Sequence, residues 1–289
     1  MKTITTKSVW EAIVLMRGVD PATAAYSAAQ NALIAVYINE RVVKAWQRAF
    51  WAEIMLAEQR QYRATWDATL NYATGDEVYY ETSDGSELYY ISLQDGNVNY
   101  NPETETDWWE EVGDGFLRTI DFEQEGETEI GAVDLQFCIF DQDPRIYRFS
   151  GLVLDVMFYG DGILLSSNTA PARPWVWFRP PVRAFSLTEW SGATLYAIGD
   201  LSYLASTGLS YKALQTSTNK NPESETDYWE PVEFPAFLKT YVSNGAHADY
   251  LVDPVETAKF ENKAEAELES LEQRLLDQQG VERKAVFGR

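Results

Sequence analysis

The chain has 289 residues, 45% of them hydrophobic and 14% aromatic, which is enough to bury a sizeable core and excludes a disordered polymer. Its 23 basic and 45 acidic groups give a formal charge of −22, and residues 65–112 hold twelve acids without one Lys or Arg, so the middle of the chain offers no phosphate-binding surface. One cysteine, Cys138, and one histidine, His247, exclude an internal disulfide and a His-rich metal site and leave little room for Ser-His chemistry.

Residues 8–64 are predicted helical. Ser8-Val9-Trp10-Glu11 reads as a capping box and Gly18 as a helix stop. Asp20-Pro21 reads as the start of the next helix, because Asp caps and Pro fits the first helical position. The Ala-, Leu- and Glu-rich run that follows is expected to break near Asn39, and nothing in it reads as strand. The opening MKTITTKSVWEAIVLM has a short apolar run and no small-residue cleavage site, so no signal peptide is expected. No apolar stretch approaches the ~18 residues of a membrane span, and no membrane partner is expected.

Residues 65–112 and 189–232 repeat each other. Trp66 and Trp190 precede Tyr72 and Tyr196 by six residues, and each Tyr is followed by Gly-Asp, at Gly75-Asp76 and Gly199-Asp200. Tyr90 with Leu93-Gln94 matches Tyr211 with Leu214-Gln215, and Asn101-Pro102 and Asn221-Pro222 lead to Trp109 and Trp229. Alternating aromatic and polar residues between Gly-rich turns predict two or three short antiparallel strands per copy. So small a sheet cannot bury a true core, and its large aromatics must cover one another or a neighbour.

Between the copies, FLRTIDF, AVDLQFCIF, RIYRFSGLVLDVMFY and ILLSS read as strands, with Asp161-Gly162 at a hairpin turn. PARPWVWFRPPV, with four prolines, is predicted to be an edge strand or loop. Cys138 lies in an apolar strand and reads as a buried small hydrophobe, and His247 as a packed or surface histidine. At the C-terminal end Phe234-Pro235 is predicted to open a helix through Tyr250. Asp253-Pro254 opens another, with Ala264, Leu268, Leu271 and Leu275 on one stripe and a stop at Gly280.

These elements predict an α+β fold. A helical domain formed by both chain ends (1–64 and 233–289) carries an inserted all-β region. That region comprises small β repeat 1 (65–112), a central antiparallel β region (113–188) and small β repeat 2 (189–232). No Gly-rich phosphate loop, G-x-S-x-G, H-E-x-x-H or Cys/His cluster is present, so no cofactor, metal or catalytic residue is expected. The central acids Asp134, Asp141, Asp143 and Asp155 form no pairing suited to a two-acid glycosidase.

With their W…Y…GD.V.Y…Y…NP…..WW order, the repeats resemble the small carbohydrate-binding modules appended to chitinases and cellulases. Two readings follow. Trp66, Tyr72, Trp109 and their counterparts form mini-cores, or aromatics stack on sugar or a partner. Tyr80, Trp108 and Trp109 in the first copy and Tyr203, Tyr228 and Trp229 in the second are the stacking candidates. The helical ends carry a second resemblance. YINERVVKAWQRAFWAEIMLAEQR is similar to a segment of phage neck proteins in which a helix with Asn and a spaced Trp leads to an aromatic-Trp-Pro-Glu turn. Here that turn reads Phe50-Trp51-Ala52-Glu53, without the proline. FPAFLKTYVSNGAHADYL and the acidic helix ending in Gln-Gly and a short basic–apolar tail are similar to the same group.

This resemblance implies a non-enzymatic head-to-tail adaptor of a tailed bacteriophage, located in the virion neck and made in the host cytoplasm. Its implied partners are the portal protein, tail or neck proteins, and further copies of itself in a twelve-fold ring, with DNA sliding through an acidic lumen without specific binding. The family's C-terminal arm maps onto residues 281–289. There Arg283, Lys284 and Arg289 are the charged contacts to the portal, and Val286 and Phe287 the apolar anchors. The competing reading is a glycan-binding attachment protein of a virion or cell surface.

Overall fold

The computed structural model describes residues 2–112, 117–124, 128–133, 138–146, 153–165 and 171–287, with side chains as far as Asp277. Among these, four α-helices and several small antiparallel sheets make an α+β fold. The chain divides into two compact units, a helical unit of Met1–Ile54 with Val182–Arg289 and a β unit of Met55–Pro181. The division does not follow the four-part reading. Repeat 2 groups with the helices, and repeat 1 groups with the central strands.

In the helical unit, α1 (Thr6–Met16) is capped by the Thr5 hydroxyl, which accepts from the Ser8 amide, one turn earlier than the predicted box. Gly18 ends the turn with φ +71°, which glycine adopts without a Cβ penalty. Asp20-Pro21 starts only a turn. The next helix, α2 (Ala28–Arg48), begins at a capping box in which Ser27 and Gln30 satisfy each other's backbone N–H groups. It runs unbroken past Asn39, whose side chain faces out of the helix and bonds both backbone groups of Phe185. The helix ends at Arg48, so Phe50-Trp51 lies in a true break, with Trp51 Nε1 donating to the Ala45 carbonyl.

Phe234–Pro235 is a strand, paired antiparallel with Thr3–Ile4, rather than a helix start. A 3₁₀ turn, Ala236–Leu238, then leads into α3 (Lys239–Tyr250). Asp253 caps α4 (Pro254–Phe287) by accepting from the Val255 and Glu256 amides. Val9 and Ile13 of α1, Ile34, Ile38 and Val42 of α2, Tyr241 and Val242 of α3, and Ala264, Leu268 and Leu271 of α4 share one core. The i, i+3 and i, i+4 spacings in α1, α2 and α4 put each of those sets on one face of its helix. Arg41 ties three helices together from inside, its guanidinium held by Asp249 at 2.6 Å and Glu261 at 2.5 Å.

In the β unit, Trp175–Arg179 lies inside its sheet, between Leu56–Gln59 on one side and Ala132–Val133 with Ile139–Phe140 on the other. This corrects the edge assignment. The prolines flank the five-residue strand and never interrupt its ladder, while Val176 and Phe178 point into the core. Leu56–Gln59 is likewise a strand, although LAEQ has helical composition. A second sheet is formed by Thr119–Asp121, Gly162–Leu165 and Val156–Tyr159, and the hairpin closes at the Tyr159–Gly162 pair, so its turn is Gly160-Asp161. Cys138 is buried in this unit's core.

Candidate functional site

Each repeat is built on three strands plus a two-stranded pairing: Glu77–Glu81, Glu87–Ser92 and Trp109–Glu111 with Asn71–Tyr72 and Asn97–Val98; and Leu201–Leu204, Leu209–Ala213 and Trp229–Val232 with Leu195–Tyr196 and Ser217–Thr218. The two copies share a set of equivalent contacts. Trp109 meets Tyr72 edge-on at 5.2 Å and donates to the Tyr100 carbonyl at 2.8 Å. Trp229 meets Tyr196 at 5.0 Å and donates to the Lys220 carbonyl at 2.9 Å. The Tyr72 and Tyr196 hydroxyls accept from the Asp67 and Ser191 amides. Asp76 and Asp200 each hold the amide three residues upstream, at the Gly75 and Gly199 turns. Asn99 and Asn219 sit at φ 59° and 57°, a left-handed conformation that Asn tolerates better than most side chains.

This geometry decides what the aromatics can do. Trp109 and Trp229 are 2% and 1% exposed, so neither is available to stack on a ligand. They are the mini-cores, with Tyr72, Val78 and Tyr90 in one copy and Tyr196, Leu204 and Tyr211 in the other. Tyr80 is half-buried, edge-on to Trp66, with its hydroxyl accepting from Asn101. Trp108 is half-buried and stacked face to face on Tyr100, 3.9 Å between centroids and 9° between planes. In repeat 2 Lys220 replaces Tyr100 and lies 4.7 Å above Tyr228, so a cation–π contact substitutes for the ring stack. Tyr203 packs against the helical core, and burial pushes its phenol up to about 12. The stacking candidates thus already have ring, cation or core partners within the protein.

What the copies leave exposed is aliphatic and acidic. Leu93 and Leu214 occupy equivalent exposed positions, and each donates its amide to the carbonyl of the neighbouring aromatic, Trp108 or Tyr228. Asp107 and Asp227 are exposed beside them, their carbonyls accepting from Gln94 and Gln215. Other exposed positions differ between copies, such as Asn71 against Leu195 and Thr74 against Ile198. The Leu–aromatic–Asp corner is part of the exposed surface that the two copies keep in common, a feature that the aromatic spacing alone did not reveal.

The arm candidates fall on α4. The helix does not stop at Gly280, because its backbone continues helical to Phe287. The side chains of Arg283, Lys284, Val286 and Phe287, and all of Arg289, lie outside the described residues, as does Asp134 among the central acids. Asp143 is held by Arg145 at 2.8 Å, which keeps its carboxyl below the usual range. Among the described residues no group of three His, Cys, Asp or Glu could hold a metal, and no helix is long and apolar enough to cross a membrane. No protein-family model matches the chain, and no curated protein or solved structure matches it significantly.

Proposed function

We propose that the chain is a structural head-to-tail adaptor of a tailed bacteriophage, a ring-forming protein of the neck that joins the portal to the tail. The observation that carries this reading is the course of α4. Among the side chains described, Leu275 is the last of α4 to pack on the core, and the helical backbone runs on to Phe287. At 1.5 Å per residue the remaining twelve residues extend the helix by about 18 Å, a reach suited to a neighbouring subunit. The basic–apolar sequence of 281–289 suits that role on a chain of net charge −22. Two further features support it. Both chain ends contribute to one helical core that anchors the base of α4, and the repeats keep a common outer corner suited to docking. The acidic stretch of 65–112 lets DNA pass the protein without being held.

Glycan binding is the less favoured reading, because the aromatics it needs are engaged internally. The deciding experiment mixes the full chain, and a variant lacking residues 281–289, with the portal ring. The full chain is expected to co-purify and to add a ring of density in electron micrographs, while the shortened variant folds normally but fails to attach. Unchanged attachment of the variant overturns the role of the arm. A chain that stays single with the portal present, or that is retained on chitin through Trp108 and Tyr228, overturns the adaptor reading.

A further inference from the structure

His247, on the last turn of α3, is a buried titratable group that the adaptor reading leaves unused. Its residue is 2% exposed, and its Nδ1 has no hydrogen-bond partner. The ring meets Phe260 of α4 edge-on, 4.4 Å between centroids and 85° between planes. On α4, the Lys259 and Lys263 ammonium groups lie 5.5 and 4.8 Å from the Phe260 centroid, and Glu256 is the acid near the imidazole. From the end of α1, Arg17 acts on the imidazole and lies 4.1 Å over the ring of Tyr250. From α2 the charged group is Arg41, packed over Gly245 and closed by Asp249 and Glu261. Gly245 and His247 are two positions apart, which at ~100° per residue puts Arg41 on nearly the opposite side of α3.

We propose that His247 is a pH-sensitive latch between α3 and α4, closed while the imidazole is neutral and released when it gains a proton. A buried imidazolium has two N–H donors to satisfy, and Nδ1 has no acceptor in this packing. Arg17 makes the pocket hostile to a second cation, while Lys259 is paired with Glu256 at 3.0 Å. Glu256 acts in the opposite sense on the imidazole, but it is shared with Lys259. Turning α4 away from α3 hydrates the new charge and removes the conflict. Burial first, and Arg17 second, lower the affinity of the imidazole for its proton in the packed state. The open state keeps the ordinary value near 6.5. The packed state is therefore fully favoured above about 6.5 and loses ground as pH falls from there through the lowered value. This inference stands apart from the adaptor reading and rests only on the α3–α4 packing.

Because the chain has one histidine, its imidazole Cε1–H resonance can be followed in the intact protein without assignment ambiguity. We expect a midpoint below 6.5. Over the same range amide protection in residues 256–271, corrected for intrinsic exchange, should fall by up to about tenfold per pH unit, while α2 keeps its protection. His247→Gln should abolish the pH dependence of α4 protection between pH 7 and 5. Arg17→Gln, which leaves the imidazole in place, should raise the midpoint. An imidazole titrating at its ordinary value, or α4 protection that ignores pH, overturns the latch. Equal loss of protection in α2 and α4 also overturns it, since the event would then be global.

Discussion

Trp109 and Trp229 show how much of a small sheet one residue can hold. Each indole fills the centre of a mini-core, sits against a tyrosine edge, and spends its one donor on a carbonyl nine residues upstream. Changing either to alanine opens a cavity that three short strands cannot close. The expected loss is about 3–5 kcal/mol, confined to the affected repeat and measurable as a lower melting temperature. Trp108→Ala should cost clearly less, because that ring is half-buried and stacked at the surface. The exchange of Tyr100 for Lys220 over the equivalent ring makes the same point in reverse, since the aromatic face needs a partner and accepts either a ring or a cation. Aromatic identity and spacing were legible in the sequence. Which aromatics face inward was not, because strand alternation specifies a face without saying which face is covered.

Helix α4 and the strand Trp175–Arg179 mark the limits of reading elements from composition. The α4 stripe of Ala264, Leu268, Leu271 and Leu275 was visible as a 3.6-residue period, and all four reach the core. Leu268→Ala should therefore cost about 2–5 kcal/mol in denaturant unfolding, whereas Leu276→Ala, at a residue 59% exposed, should change stability by less than about 0.5 kcal/mol. Gly280 misled because a single glycine costs a helix only ~1 kcal/mol, too little to end one without a further stop signal. Prolines misled in the other direction at Trp175–Arg179, where they bracket the strand and leave all five residues free to pair. Leu56–Gln59 was missed because LAEQ favours a helix and is recruited to the sheet by the strand beside it.

At the scale of the molecule, the α+β character and the contribution of both chain ends to one core were readable, whereas the partition of the repeats was not. Repeat 1 packs Tyr79 and Tyr89 into the β-unit core, and repeat 2 packs Tyr203 on the helical core with Ser210 bonded to Thr6 and Ser186. Tyr79 and Tyr203 occupy equivalent places yet pack on different cores, and only Tyr89 against Ser210 differs, so the shared motif says nothing of where each copy belongs. Residues 55–181 have a core of their own and enter and leave on adjacent antiparallel strands, with Leu56 opposite Phe178. Produced alone, this fragment should fold cooperatively, giving one thermal transition by circular dichroism together with dispersed amide resonances. Absence of a transition would show that its core depends on the rest of the chain.

That layout sets a timetable for the ribosome. The first two helices emerge with their greasy sides bare; Phe185 and Leu187 reach them first, and the helices that complete their cover, from Phe234 to Leu271, come off more than 180 residues later. At ~5–20 residues per second the wait is roughly 10–40 s, during which the intervening piece has time to finish itself. Nascent chains stalled before Phe234 should thus recruit chaperones to the first fifty residues, and release them once the last helix is threaded out.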